Sequence, residues 1–314
     1  MDPDLRRILE RQSYRVVGDH SAVKVCHWVG QSLTRGRPCY KQLFYGIRSH
    51  RCLQMTPAVD DCTQMCLFCW RFQGFKGDAE HAWDDPRAVL DGCVAAHRKL
   101  LTGFKGNPLV DRAAYEQAQE PDQVACSLSG EPTLYPHLGE LFAECHRRGM
   151  TTFLVTNGTR PDVLEGLDPL PTQLYVSVVA PDRETHRRLC APLRADAWDR
   201  LQETLALLPS LGTRKVIRHT LVAGHNMADE EAYARMDSRA APDFIEPKAY
   251  VLVGDSRKRM TIANMPSHDD VVLFSARLAE LTGYEVRGEQ RPSRVVLLAR
   301  PGMGPTRIPG RGPD

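Results

Sequence analysis

Cys62-Thr63-Gln64-Met65-Cys66-Leu67-Phe68-Cys69 sets three cysteines in a C-x3-C-x2-C loop, with no fourth cysteine within several residues on either side. Three thiolates on one tight loop can hold three irons of a [4Fe–4S] cube while loop amides hydrogen-bond its sulfides. The fourth iron then stays open to a ligand. Zinc would want four closed ligands, usually from two C-x2-C pairs. The nearby histidines, His50 and His81, stand at irregular spacing.

Beyond the loop, short apolar runs alternate with amphipathic stretches. Pro86 to about Leu101 predicts a helix, with Asp84 and Asp85 near its start and Val89, Cys93, Ala96 and Leu100 on one face. Residues 103–122 are polar and read as a long loop or short helix. Strands are expected near Arg51–Thr56 and at Val124–Leu128, Thr151–Thr156, Leu174–Val179, Lys215–Val222 and Phe244–Val253. Between them fall helices at His137–Arg148, Arg160–Leu164, Arg183–Leu189, Ala197–Leu208 and Asp229–Asp237, with a last one over 268–282. Small strands follow near Tyr284–Val286 and Arg294–Leu298. Strands alternating with helices imply an α/β fold with a parallel sheet and helices outside. About six such units fall short of the eight of a TIM barrel, so an open, partial (β/α)6 barrel is expected. Ligands bind such sheets at the carboxyl ends of the strands. The cysteine loop, Gly130-Glu131 and Thr156-Asn157 each follow a strand and therefore converge on one mouth.

On the amino side the reading is less regular. Residues 5–35 are amphipathic and helical in part, broken near Gly30 and Gly36, and residues 38–75 are rich in cysteine and aromatics with little helix periodicity. Twelve residues separate Cys26 from Cys39, and twelve more separate Cys39 from Cys52. They suit either isolated core positions or a second three-thiolate site with one iron free. Lys41 lies between two of them. Burial disfavours an ammonium, so a buried Lys41 could act as a neutral amine and attack a keto carbon. A solvated lysine in a basic segment is the plainer alternative.

The C-x3-C-x-aromatic-C pattern, with Phe68 before the last cysteine, resembles the signature of the radical S-adenosylmethionine (SAM) superfamily. Gly130-Glu131-Pro132 resembles its glycine/glutamate motif, which binds the SAM amino group. Thr156-Asn157-Gly158 and Ser177 resemble further SAM-contacting positions. More specifically, CYKQLFYGIRSHRCLQMTP (39–57), SLSGEPTLYP (127–136), FLVTNGT (153–159) and LYVSVVAPD (174–182) resemble the wybutosine-pathway enzymes that make 4-demethylwyosine in tRNA. The resemblance runs from about residue 20 to 300. It implies two [4Fe–4S] clusters, one on Cys62, Cys66 and Cys69 and one on Cys26, Cys39 and Cys52. It further implies SAM, pyruvate engaged by Lys41, tRNA(Phe) carrying N1-methylguanosine beside the anticodon, and an external low-potential electron donor. With no fused flavodoxin domain of the eukaryotic kind, the chain resembles the archaeal form. Val179, where some relatives carry an acid, and Pro247 depart from the family pattern. A methylthiotransferase-like two-cluster enzyme and a non-catalytic, metal-bearing tRNA-binding module are the other classes open at this point.

The 314 residues, 42% hydrophobic and 25% charged, suffice for one large domain. An N-terminal extension (1–52) with the second cysteine set, a partial barrel (53–300) and a mobile Pro/Gly/Arg-rich tail (301–314) are expected. No apolar run reaches a membrane span and no signal core follows Met1, so a cytoplasmic location without membrane attachment is expected. Ten cysteines in a reducing compartment point to ligands rather than disulfides. The net charge of +2 conceals +6 within residues 1–52, +3 within 285–314 and −7 between. A basic end suits a polyanion, with Arg35, Arg37, Arg48 and Arg51 as candidate phosphate contacts.

Overall fold

The computed structural model describes residues 1–73 and 82–310. His81 and the last four residues of the expected tail lie outside the described residues. The chain opens with α1 (Pro3–Arg11), then a hairpin of β1 (Arg15–Val17) and β2 (Ser21–Val23), then α2 (His27–Arg35) and α3 (Tyr40–Tyr45). Neither the hairpin nor α3 is evident in the sequence pattern. Each strand has only three residues, and α3 spans under two turns with Tyr40, Lys41, Phe44 and Tyr45 all buried, so no apolar stripe develops.

The parallel strands follow in chain order: β3 (Cys52–Thr56), β4 (Gln123–Cys126), β5 (Thr151–Thr156), β6 (Gln173–Ser177), β7 (Arg214–Leu221) and β8 (Phe244–Ala249). Helices α4 (Pro86–Leu101), α5 (Arg112–Ala118), α6 (Leu138–Arg147), α7 (Pro161–Glu165), α8 (Arg183–Cys190), α9 (Ala197–Leu207), α10 (Glu230–Ala240) and α11 (His268–Thr282) connect or cover them. β9 (Glu285–Gln290) and β10 (Val295–Ala299) close the order β1-β2-β3-β4-β5-β6-β7-β8-β10-β9. The expected six parallel strands are present, in an open α/β sheet with an antiparallel pair at each edge. The boundary between residues 52 and 53 falls at the first position of β3, and β2 pairs with β3.

Local chemistry sets the helix ends. Asp85 accepts from the N–H groups of Arg87 and Ala88 at 2.9 and 3.1 Å, with Pro86 at the first position of α4. Ser267 and Asp270 form a reciprocal capping box on α11, which ends at left-handed Gly283. Strand alternation divides the core. Val124, Leu154, Leu174 and Ile245 face the helices, while Ala125, Phe153, Tyr175 and Phe244 face the lumen. Helix α3 plugs that lumen, and the Tyr45 ring lies 5.4 Å from Phe244.

Two further segments differ from the sequence reading. β8 stops at Ala249 rather than Val253, and Tyr250, Val251 and Val253 line the cavity beyond its end. Residues 301–310 are tied across the lower end of the barrel: Ile308 is 3% exposed, its N–H donates to Tyr45 O at 3.0 Å, and Thr306 Oγ1 donates to Phe44 O at 2.6 Å. Composition favoured a loose segment; Ile308 and Met303, the two backbone acceptors on α3, and Arg214, which donates to Thr306 O at 2.5 Å, hold it. No helix among the described residues is long and apolar enough to cross a membrane.

Candidate active site

Two adjoining cavities open at the carboxyl ends of the strands. The smaller, about 140 Å³, is lined by Cys62 and Cys66 and by all of Phe68, Gly130, Glu131, Thr156, Asn157 and Ser177. The larger, about 410 Å³, is lined by Cys26, Cys39, Cys52, Lys41 and Cys69. Phe68, Arg71, Ser127, Val155, Ser177 and Thr220 border both. Every site residue read from the sequence therefore borders one cavity or the other.

The Cys62–Cys69 loop follows β3 and is pinned from two sides. Met65 N–H donates to Cys190 O at 3.1 Å and Leu67 N–H to Leu189 O at 2.9 Å, fixing the loop to the end of α8. Arg259 donates to Leu67 O at 3.1 Å and Cys69 O at 2.5 Å. Asn157 Nδ2 donates to Thr63 Oγ1 at 2.8 Å and stands 3.9 Å from Cys62 Sγ. Opposite the loop, Gly130 has φ +78°, and a Cβ there would lie 1.6 Å from Ala58 O, so only glycine fits. Glu131 is buried; it accepts from Thr156 Oγ1 (2.7 Å), Thr133 Oγ1 (2.8 Å) and Asn157 N–H (2.8 Å), tying β4 to β5. Burial raises its pKa against those donors. Val179 lines the smaller cavity.

Around the larger cavity, Cys26 and Cys39 are the residues preceding α2 and α3, and Cys52 begins β3. Backbone N–H groups of Trp28 and Val29 aim at the Cys26 sulfur and that of Lys41 at the Cys39 sulfur. They partly offset burial, which pushes the Cys39 thiol up to about 12. Helix N-termini of this kind favour thiolates. Both sets fit a cluster: all six cysteines are free and half-buried, and each set meets a cavity and backbone donors. Among the described residues, no three ligating side chains converge on a single ion. A cube does not need that, since each thiolate binds its own iron.

Lys41 is 9% exposed, with Nζ 4.8 Å from the Phe153 ring centroid and 4.6 Å from that of Tyr175. Burial, then the Arg218 guanidinium, lowers its pKa. Arg218 donates through Nε and Nη2 to fully buried Glu246 at 3.1 and 2.7 Å. Glu246 also accepts from Tyr45 Oη at 2.6 Å and Tyr40 Oη at 3.3 Å, which anchors α3 to the barrel wall. Arg71, Arg218 and Lys248 line the larger cavity and were missed in the sequence. The signal available was the charged residues set two apart within apolar strands, Arg218 in RKVIRHTL and Glu246 and Lys248 in FIEPKA. Of the basic candidates, Arg35 and Arg37 are exposed. Arg48 donates to Asp122 at 3.0 Å and Arg51 lies 3.5 Å from the same carboxylate, so these two serve the fold.

Residues 57–236 match the radical SAM superfamily and residues 239–300 match wyosine base formation. The chain is 50% identical over 319 residues to the S-adenosyl-L-methionine-dependent tRNA 4-demethylwyosine synthase of Pyrococcus abyssi, covering 99% of this chain and 93% of that one. This chain belongs to the tRNA 4-demethylwyosine synthase family. A solved structure of TYW1 with a lysine–pyruvate adduct bound is similar to this synthase with a TM-score of 0.90 and 36% identity, over 98% of this chain and 99% of that one. The crystal structure of archaeal TYW1 gives 0.82 and 34%, over 98% and 100%. As a member of the 4-demethylwyosine synthases, the protein is a SAM-dependent radical enzyme of tRNA modification. That removes both the methylthiotransferase reading and the non-catalytic one.

Proposed function

We propose that this synthase condenses N1-methylguanosine, next to the anticodon of tRNA(Phe), with pyruvate to build the tricyclic base, using two [4Fe–4S] clusters. The observation that carries the reading is buried Lys41 lining the same cavity as Cys26, Cys39 and Cys52, next to the cavity of the SAM-type motif. Cys62, Cys66 and Cys69 would hold one cluster and the earlier three the other; when bound, the clusters and SAM, fed by a low-potential electron donor, supply the radical that takes hydrogen from the N1-methyl group.

The chain's own residues do the rest. Phe68, Gly130, Glu131, Thr156, Asn157 and Ser177 shape the SAM pocket. Burial and the Arg218 guanidinium favour a neutral Lys41, whose Nζ adds to the keto carbon of pyruvate with loss of water. Phe153 and Tyr175 flank that amine and keep water away. The shared wall between the cavities sets a short path from the methyl carbon to the keto carbon, where orientation yields the largest rate gain. The lysine–pyruvate adduct named for the similar TYW1 structure supports this role for Lys41.

Lys41→Ala and Lys41→Arg should both give no tricyclic base, because a guanidinium stays protonated and forms no imine. Cyanoborohydride with pyruvate should add a stable mass at Lys41 of the unmodified protein. Normal turnover by Lys41→Arg would refute the imine.

A further inference from the structure

We propose that Lys248 binds the carboxylate of the keto acid that reacts with Lys41, and so selects an α-keto acid over a neutral ketone. The inference rests on the reading of Lys41 given above.

β7 and β8 pair in parallel with Arg218 opposite Glu246 and Thr220 opposite Lys248. Alternation along the strands turns all four toward the lumen, and Arg218, Thr220 and Lys248 line the larger cavity. The charges of this wall do not balance. Glu246 is engaged by Arg218 through two nitrogens and by Tyr40 and Tyr45. No aspartate or glutamate lines the larger cavity among the described residues. Lys248 Nζ donates to Ser293 O at 2.7 Å, and no carboxylate among the described residues lies within ion-pair distance of it. An ammonium has three donors, so two are left for a ligand while the Ser293 carbonyl fixes the nitrogen in place.

A half-buried cation without a carboxylate partner is costly, and a small anion brought in with the substrate lowers that cost. Lys248 meets no carboxylate among the described residues, while burial and the Arg218 guanidinium lower its pKa to about 8, so a bound carboxylate would hold its ammonium charged. Arg218 cannot serve as well, because Glu246 and the Tyr40 hydroxyl already take its Nε and Nη2. The two reactive ends of a keto acid are adjacent carbons. Both lysines line the larger cavity, and Lys248 Nζ lies 5.9 Å from the ring centroid of Tyr40, the residue before Lys41.

The test compares pyruvate with pyruvamide, which keeps the ketone and lacks the charge. Cyanoborohydride trapping at Lys41 of the cluster-loaded protein should favour pyruvate. Lys248→Met should cut that preference by about ten- to a hundredfold while pyruvamide is still trapped, as expected for loss of one charged hydrogen bond. Lys248→Arg should keep most of it. Should Lys248→Met fail to accumulate, Lys248→Gln, which still can donate to the Ser293 carbonyl, gives the same reading. An unchanged pyruvate-to-pyruvamide ratio in the neutral variants refutes Lys248 alone. Equal loss of both adducts makes Lys248 a structural tie and also refutes it. Failure of the unmodified protein to trap either compound removes the Lys41 reading, and this inference with it.

Discussion

The cysteines of the loop Cys62–Cys69 and the scattered set Cys26, Cys39 and Cys52 are brought together by opposite means. The loop confines three sulfurs within one short turn, which the end of α8 and Arg259 merely hold still. The scattered set exists only once the N-termini of α2 and α3 and the first residue of β3 have met. That meeting depends on Glu246, a residue of β8, through Tyr40 and Tyr45. Local spacing protects the first arrangement from distant changes; the second inherits every weakness of the tertiary contacts that assemble it.

The comparison breaks most sharply at the sulfurs themselves. Alanine at Cys62, Cys66 or Cys69 should abolish reductive SAM cleavage, whereas alanine at Cys26, Cys39 or Cys52 should leave 5′-deoxyadenosine forming and eliminate the tricyclic base. Mass spectrometry of nucleoside and tRNA products reads both. Product from any of the three N-terminal variants would make that set structural. A distant change sharpens the contrast. Glu246→Gln strips the partner from buried Arg218 and should cost about 3 kcal/mol in urea unfolding. Its iron content should fall toward that of the loop cluster alone, and undiminished iron would show that α3 does not depend on β8. The smallest effect is expected at the surface. Arg35→Glu with Arg37→Glu should weaken tRNA binding and flatten its logarithmic salt dependence by about two units. An unaltered slope would remove the exposed end of α2 from the tRNA interface.

The same contrast explains what could be read in advance. The loop, Gly130-Glu131 and Thr156-Asn157 are contiguous motifs behind apolar strands, so both their chemistry and their common mouth followed from order along the chain. The lumen did not. Helix α3 spans under two turns, buries Lys41 with its aromatics and leaves Leu43 exposed, and Arg218, Glu246 and Lys248 sit in strands otherwise read as apolar. The spacing of two between Glu246 and Lys248 marks a lumen face, but the partners that Arg218 and Glu246 find across strands are not visible along the chain. Arg48 and Arg51 looked like phosphate contacts until Asp122 proved to be their partner, 71 residues or more away in the chain. The segment ending in Ile308 has the composition of a loose strand of chain. Buried Ile308, with the bonds to α3 and from Arg214, decides otherwise.

That last contact has a consequence for the order in which the protein is made. Thr306 closes on Phe44 across 262 positions of sequence. On a ribosome, α3 therefore emerges roughly tens of seconds before the segment that seals the barrel beneath it. The Cys62–Cys69 loop has its α8 support once residue 191 is out and its clamp once Arg259 follows. Cys26, Cys39 and Lys41, translated earlier than that loop, wait longer for their surroundings. The half of the candidate site synthesised first is the half completed last.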